Sequence, residues 1–219
     1  MKIKTFTNKS VMNDIITKEE YKGSVDEKGL PHGKGINTTF WDDKVRCVEE
    51  GVWQRGFLVE GSETIFSHDR NNERDYPIKK EIGKWRYDEK RNYCEEFLSG
   101  EGEELHFKNE EDFKRNKPSG YIKGIFDDGT LLKGEVFNAY KIGYSEHSFV
   151  KRIIINGKSK KNVNPLGYST RIDIGVIFFE NGDRYEGEID YDCPQGNGTM
   201  YYEDGTSLKG EWSKGNYLK

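Results

Sequence analysis

The chain has no apolar run of 18 residues, and Met1-Lys2-Ile3-Lys4-Thr5-Phe6 is not followed by the apolar stretch that a signal peptide needs. A cytoplasmic protein, at most peripheral to a membrane, is therefore expected. Cysteine is scarce: Cys47, Cys94 and Cys193 are odd in number and far apart, which suits a reducing compartment and excludes a disulfide framework. The four histidines, His32, His68, His106 and His147, form no i, i+4 pair and stand beside no cysteine pair, so no zinc site is expected and no cofactor is called for. Charge of one sign is not in excess; a formal net charge of −4 gives no global attraction for nucleic acid, an unexpected partner on this balance. Aliphatic content is low too. With 33% hydrophobic and 34% charged residues and a mean hydropathy of −0.94, a thick α/β enzyme core is excluded.

What is abundant is glycine, at 25 residues, and aromatic side chains, at 13%. They are organised. Tyr185-Glu186-Gly187-Glu188 is followed by Gly196-Asn197-Gly198, the aromatic pair Tyr201-Tyr202 and Asp204-Gly205, after which Leu208-Lys209-Gly210-Glu211-Trp212 begins the unit again. From Gly187 to Gly210 is 23 residues, a length that belongs to arrays of short β-hairpins. Strand alternation puts Tyr185, Gly187 and Ile189 on one face and Glu186, Glu188 and Asp190 on the other. Glycine inside a strand costs about 0.5–1 kcal/mol against alanine. A ring lying over it from the neighbouring strand supplies the compensation.

This unit resembles the MORN repeat (membrane occupation and recognition nexus), with its Y-x-G-x-[WFI], turn, G-x-G, aromatic and [ND]-G. The resemblance implies an all-β fold: an elongated, twisted antiparallel meander of about six hairpins of the repeat or solenoid type. Residues 1–20 read as an N-terminal cap, with a strand over Lys2 to Thr7 and capping-box spacing at Thr17-Lys18-Glu19-Glu20. Residues 21–140 read as repeats, beginning at Tyr21-Lys22-Gly23, Gly33-Lys34-Gly35 and Phe40-Trp41, and continuing at Gly51-Val52-Trp53 and Gly83-Lys84-Trp85. His68 to Pro77 reads as an exposed loop, and Asn109 to Lys117 as a loop or a lengthened hairpin tip. Pro118 to Val136 matches Pro194 to Trp212 at nine of nineteen positions, which marks an internal duplication. Residues 141–173 break the register and read as an inserted basic hairpin, with a turn at Asn156-Gly157. Residues 174–219 resume the repeats.

No Gly-x-Ser-x-Gly elbow, Walker loop or zinc-protease motif is present, and the G-x-G runs at 33–35, 100–102 and 196–198 lead into β-patterned segments in place of a helix. Adjacent pairs such as Glu49-Glu50 and Glu95-Glu96 diverge on a strand, and the Glu186, Glu188, Asp190 face reads as solvated. Some MORN arrays adjoin a catalytic domain; here the repeats run through Gly215 to Lys219, and an enzyme is not expected. By resemblance the chain is a non-catalytic protein-binding or scaffolding module. Its docking groove would be aromatic, formed by Tyr21, Trp41, Trp53, Trp85, Tyr185, Tyr201, Tyr202 and Trp212. The alternative is an anionic-lipid surface made by Lys151, Arg152, Lys158, Lys160 and Lys161, since 141–173 carries seven basic residues against two acids. An open edge at Trp212 also leaves a homodimer available.

Overall fold

The computed structural model describes residues 2–12, 15–66, 77–87, 96–127, 130–138, 150–158, 162–163, 169–170, 172–190 and 192–219. Nearly all of them are antiparallel strand. The chain divides into two units, residues 1–118 with 127–129, and residues 119–126 with 130–219.

In the first unit seven strands follow one another in sequence order: β1 (Lys2–Met12), β2 (Ile15–Val25), β3 (Pro31–Trp41), β4 (Lys44–Gln54), β5 (Phe57–Phe66), β6 (Pro77–Tyr87) and β7 (Glu96–His106). The turns that link them obey local chemistry. Asp42 and Asp43 have φ of 48° and 65°, and Arg55 and Gly56 have 52° and 94°, the paired positive values that suit a two-residue hairpin to the twist of its strands. A short helix, α1 (Glu110–Lys114), follows β7; the Asn109 side chain caps it by accepting from the Asp112 N–H at 2.8 Å, and Phe113 meets Phe107 edge-on at 5.2 Å.

The second unit has β8 (Gly120–Asp127), whose last residue falls in the first unit, then β9 (Thr130–Phe137), β10 (Val150–Lys158), β13 (Asp173–Phe179), β14 (Arg184–Asp190), β15 (Cys193–Tyr201), β16 (Ser207–Ser213) and β17 (Asn216–Tyr217), again in sequence order. A separate two-stranded ribbon, β11 (Asn162–Val163) with β12 (Ser169–Thr170), lies between β10 and β13 in the chain.

A row of glycines runs across the strands of each unit. In the first unit Gly23, Gly35, Gly51, Gly61 and Gly83 are successive cross-strand partners; in the second Gly175, Gly187, Gly198 and Gly210 are. A Cβ at Gly51 would meet the Gly61 Cα at 2.7 Å, so a side chain there would push neighbouring strands apart. The 23-residue spacing of the sequence is this row seen end-on.

The all-β antiparallel meander agrees with the expectation from sequence, and three local readings change. Thr17 to Glu20 lie inside β2, where bonding to β1 and β3 overrides a local helix cap. Asn109 to Lys117 holds a capped helix turn in place of a loop. Val150–Lys158 is an interior strand of the second unit, between β9 and β13, and Asn156-Gly157 is no hairpin turn: Gly157, at φ 147°, sits where the β10–β13 register slips. The duplication is likewise offset. Leu132-Lys133-Gly134-Glu135 occupies a strand as Leu208 to Glu211 does, but the glycine facing Gly134 is Gly124, two places beyond the aligned position. His68, Cys94 and the other expectations on 67–76, 88–95, 128–129, 139–149, 159–161 and 164–168 lie outside the described residues.

Candidate binding surfaces

Five of the eight aromatic candidates are interior. Tyr21, Trp53, Trp85, Tyr185 and Trp212 are 0–7% exposed, and they form the framework. Tyr185 lies over Gly198, where a Cβ would stand 2.1 Å from its hydroxyl, and that hydroxyl donates to the carbonyls of Glu188 at 3.0 Å and Gln195 at 3.1 Å. Burial pushes its pKa up to about 12. Trp212 stands edge-on to the same ring at 5.6 Å and 74°. The first unit repeats the arrangement: Tyr21 lies over Gly35 with its hydroxyl on the Ser24 carbonyl at 2.8 Å, and Trp53 stands edge-on to it at 5.4 Å and 78°. These rings bury themselves because the glycine beneath offers a flat floor and the neighbouring carbonyl takes the indole N–H. They are thereby withdrawn from direct contact with a partner.

The first glycine of each G-x-G run has a different task. Gly33, Gly100 and Gly196 have φ of 88°, 79° and 57°, and each lies where the register of its hairpin slips. The motif is a bulge followed by a glycine floor, covered by a tyrosine at Gly35 and Gly198 and by Leu98 at Gly102, the turn-and-packing role that the sequence favoured over a phosphate loop.

Trp41, Tyr201 and Tyr202 remain exposed. The Arg46 guanidinium lies over Trp41 at 4.5 Å and the Arg184 guanidinium over Tyr201 at 4.6 Å. In the second unit a cavity of about 610 Å³, open to solvent, has Phe179, Pro194 and Met200 as apolar lining, with Asp183 and Lys214 among its polar groups. Its Asp183 is joined to the turn that follows Tyr201, since the Asp183 carboxylate accepts from the Glu203 N–H at 3.0 Å. The volume falls in the range of ligand pockets, and the lining sets three apolar side chains beside Asn181, Asp183, Asp192, Lys214 and Asn216.

Of the basic segment, only Lys151 and Arg152 have described side chains. Lys151 is exposed on β10, while the neighbouring Arg152 is paired with Glu135 at 3.0 Å and stacked on Phe178 at 4.9 Å. Lys158 ends β10, and Lys160 and Lys161 lie outside the described residues.

A third feature was not read from the sequence. Two residues from the glycine row, on the same face, cross-strand partners run Asn37, Glu49, Glu63, Glu81 and Glu104 over five strands of the first unit. The matching row of the second unit is apolar: Val136, Ile153, Ile177, Tyr185, Met200 and Leu208. The glutamates are held by named partners. The Asn37 amide donates to Glu49 at 2.8 Å, the Cys47 thiol to Glu63 at 3.3 Å, and Lys79 to Glu81 at 2.9 Å, with Glu104 at 3.4 Å. The His106 Nε2 is 2.6 Å from Glu104. Burial, then the nearby Glu63 and Glu49 carboxylates, push the Cys47 thiol up. Burial also raises Glu49. Glu81 is pushed up to about 7, chiefly by burial, whereas at Glu104 the opposing pull of His106, Lys79 and Glu81 overcomes burial and holds it down to about 2. Counting two places from each aligned glycine would have found this row.

Among the described residues no group of three His, Cys, Asp or Glu side chains is placed to hold a metal ion, and no helix is long and apolar enough to cross a membrane. The fold defines a repeat-built antiparallel β-meander. No family model matches the chain, and no curated protein matches it.

Proposed function

We propose that this chain is a non-catalytic, MORN-like module that holds a protein partner at the cavity of its second unit. The observation that carries the reading is that cavity: Phe179, Pro194 and Met200 give a partner side chain an apolar seat, and Asp183 and Lys214 flank it with opposite charges. The buried tyrosines and tryptophans keep the seat rigid, which lowers the ordering cost of association. Exposed Tyr202, beside Glu203 of the cavity's tethered turn, supplies the aromatic contact that interface centres favour.

The test is affinity capture from the native lysate with wild type and with Tyr202→Ala/Lys214→Glu, two exposed positions, after thermal melts have shown equal folding. A discrete protein held by wild type and lost from the variant supports the reading; equal recovery by both rejects it. Flotation with anionic vesicles, wild type against Lys151→Glu, separates the lipid reading. Salt-sensitive retention that the substitution abolishes would put lipid in place of protein.

A further inference from the structure

We propose that Glu81 and Glu104 share one proton across β6 and β7, and that this proton is a latch for the first unit, whose loss loosens the β6–β7 pair.

The argument begins with placement. Glu81 and Glu104 are directly opposed across an antiparallel pair, and the next strand inward puts Glu63 against Glu81 from the other side. Carboxyls so placed have Cβ atoms about 4.5–5.5 Å apart, where like charges repel. Their side chains are only 17% and 19% exposed, so water screens the repulsion poorly. The charges facing Glu81 are few. Lys79 lies on its own strand; Glu104 and His106 face it from β7; Glu63 faces it from β5, with Glu49 and Cys47 one strand beyond on β4. Among the described residues the one close ammonium, Lys79, reaches both carboxyls, and the ring of His106 lies 2.6 Å from Glu104. One lysine cannot neutralise two buried carboxylates and a third beside them.

Lys79 Nζ stands 2.9 Å from the Glu81 carboxyl and 3.4 Å from the Glu104 carboxyl, so the two opposed groups meet at one ammonium, and a proton on one of them would let it donate to the other. Glu81 is the holder, because Glu104 has a further hydrogen-bonding partner in the His106 ring at 2.6 Å, which Glu81 lacks among the described residues. When hydroxide takes the proton, water is formed, the donor disappears and two carboxylates face each other across the ladder. The second unit shows what this row does elsewhere: Ile177 and Tyr185, cross-strand neighbours there, are buried and carry no charge at neutral pH. The first unit has replaced an apolar row with a protonatable one, which makes its cohesion depend on pH.

The sign follows from the raised value at Glu81. Its stabilising effect is complete below about pH 4.5, the unfolded value, and is lost as pH rises through about 7. The experiment is a carbon-detected NMR titration of glutamate carboxyl carbons in the full chain, with thermal melts over the same pH range, for wild type, Glu81→Gln and Glu104→Gln. In wild type one glutamate is expected to titrate near neutrality, and the melting temperature to fall as pH rises from about 5 and level off above about 8. Glu81→Gln, which keeps the donor permanently, should remove that titration and flatten the melting profile. Glu104→Gln removes the opposed charge and should move the titration of Glu81 toward acid; a merely structural effect would lower the melting temperature equally at every pH. A wild type with no glutamate titrating above about pH 6, or the same pH slope in wild type and Glu81→Gln, overturns the proposal. Should Glu81→Gln fail to fold, the wild-type titration and the Glu104→Gln profile decide it.

Discussion

The Trp212 indole donates its Nε1–H to the Gly198 carbonyl at 3.2 Å, and Trp53, 159 positions earlier in the chain, does the same to Gly35 at 3.1 Å. The two bonds show how a single sheet keeps large rings buried. Glycine gives a floor, the tyrosine of the first strand covers it, and the tryptophan closes the edge while satisfying a carbonyl. Truncating Trp53 to alanine should cost about 3–5 kcal/mol in urea unfolding, as for other buried aromatic truncations. Trp41→Ala, at an exposed ring, should stay within about 1 kcal/mol.

The Tyr185 hydroxyl serves two backbone carbonyls. Tyr185→Phe is expected to lower stability by about 1–3 kcal/mol, because it leaves part-buried acceptors unpaired while the ring still packs. A chemical-denaturation midpoint that does not move would show those carbonyls to be solvated.

Glycines of two kinds should respond differently to alanine. At Gly198 a Cβ would stand 2.1 Å from the Tyr185 hydroxyl, so the ring must leave its floor and the loss should reach several kcal/mol, about that of a core disruption. At Gly205 a Cβ meets open space, and only the positive φ of 84° opposes it, at roughly 1 kcal/mol. Paired melts of Gly198→Ala and Gly205→Ala test the distinction.

Lys79→Met should destabilise the first unit, and more so at higher pH. With the ammonium gone, Glu81 and Glu104 lose the cation they share, and breaking such a half-buried set costs about 3–5 kcal/mol when a charge is left unpaired. In acid the neutral Glu81 needs no cation, so the deficit should shrink as pH falls toward about 5. Glu104 sets a separate acid limit. Its depressed value supplies stability that is present above about pH 4.5 and lost only as pH falls through about 2.

Much of this was legible in the sequence. The glycine spacing, the ring positions and the strand alternation gave the antiparallel hairpins, because each is a local consequence of period two and of which residues tolerate a ring above them. Gly187 and Ile189 do share a face with Tyr185, and the bulge glycines were marked by the G-x-G runs. Other features needed register. Asn156-Gly157 satisfies every local rule for a turn, yet the strand continues through it, with Asn156 at the bulge and Gly157 paired to Ile174 of β13. Glu49, Glu63, Glu81 and Glu104 look like ordinary charges 14, 18 and 23 residues apart, and the bulges and turns between them hide that they form one row. Which rings bury and which stay exposed was likewise a matter of neighbours. Tyr185 and Tyr201 belong to the same repeat, but only Tyr185 has a glycine beneath it and a tryptophan against its edge. Sequence determines what each residue can do within its own strand; only the pairing of strands decides what stands opposite, and burial and charge energies depend on that opposition.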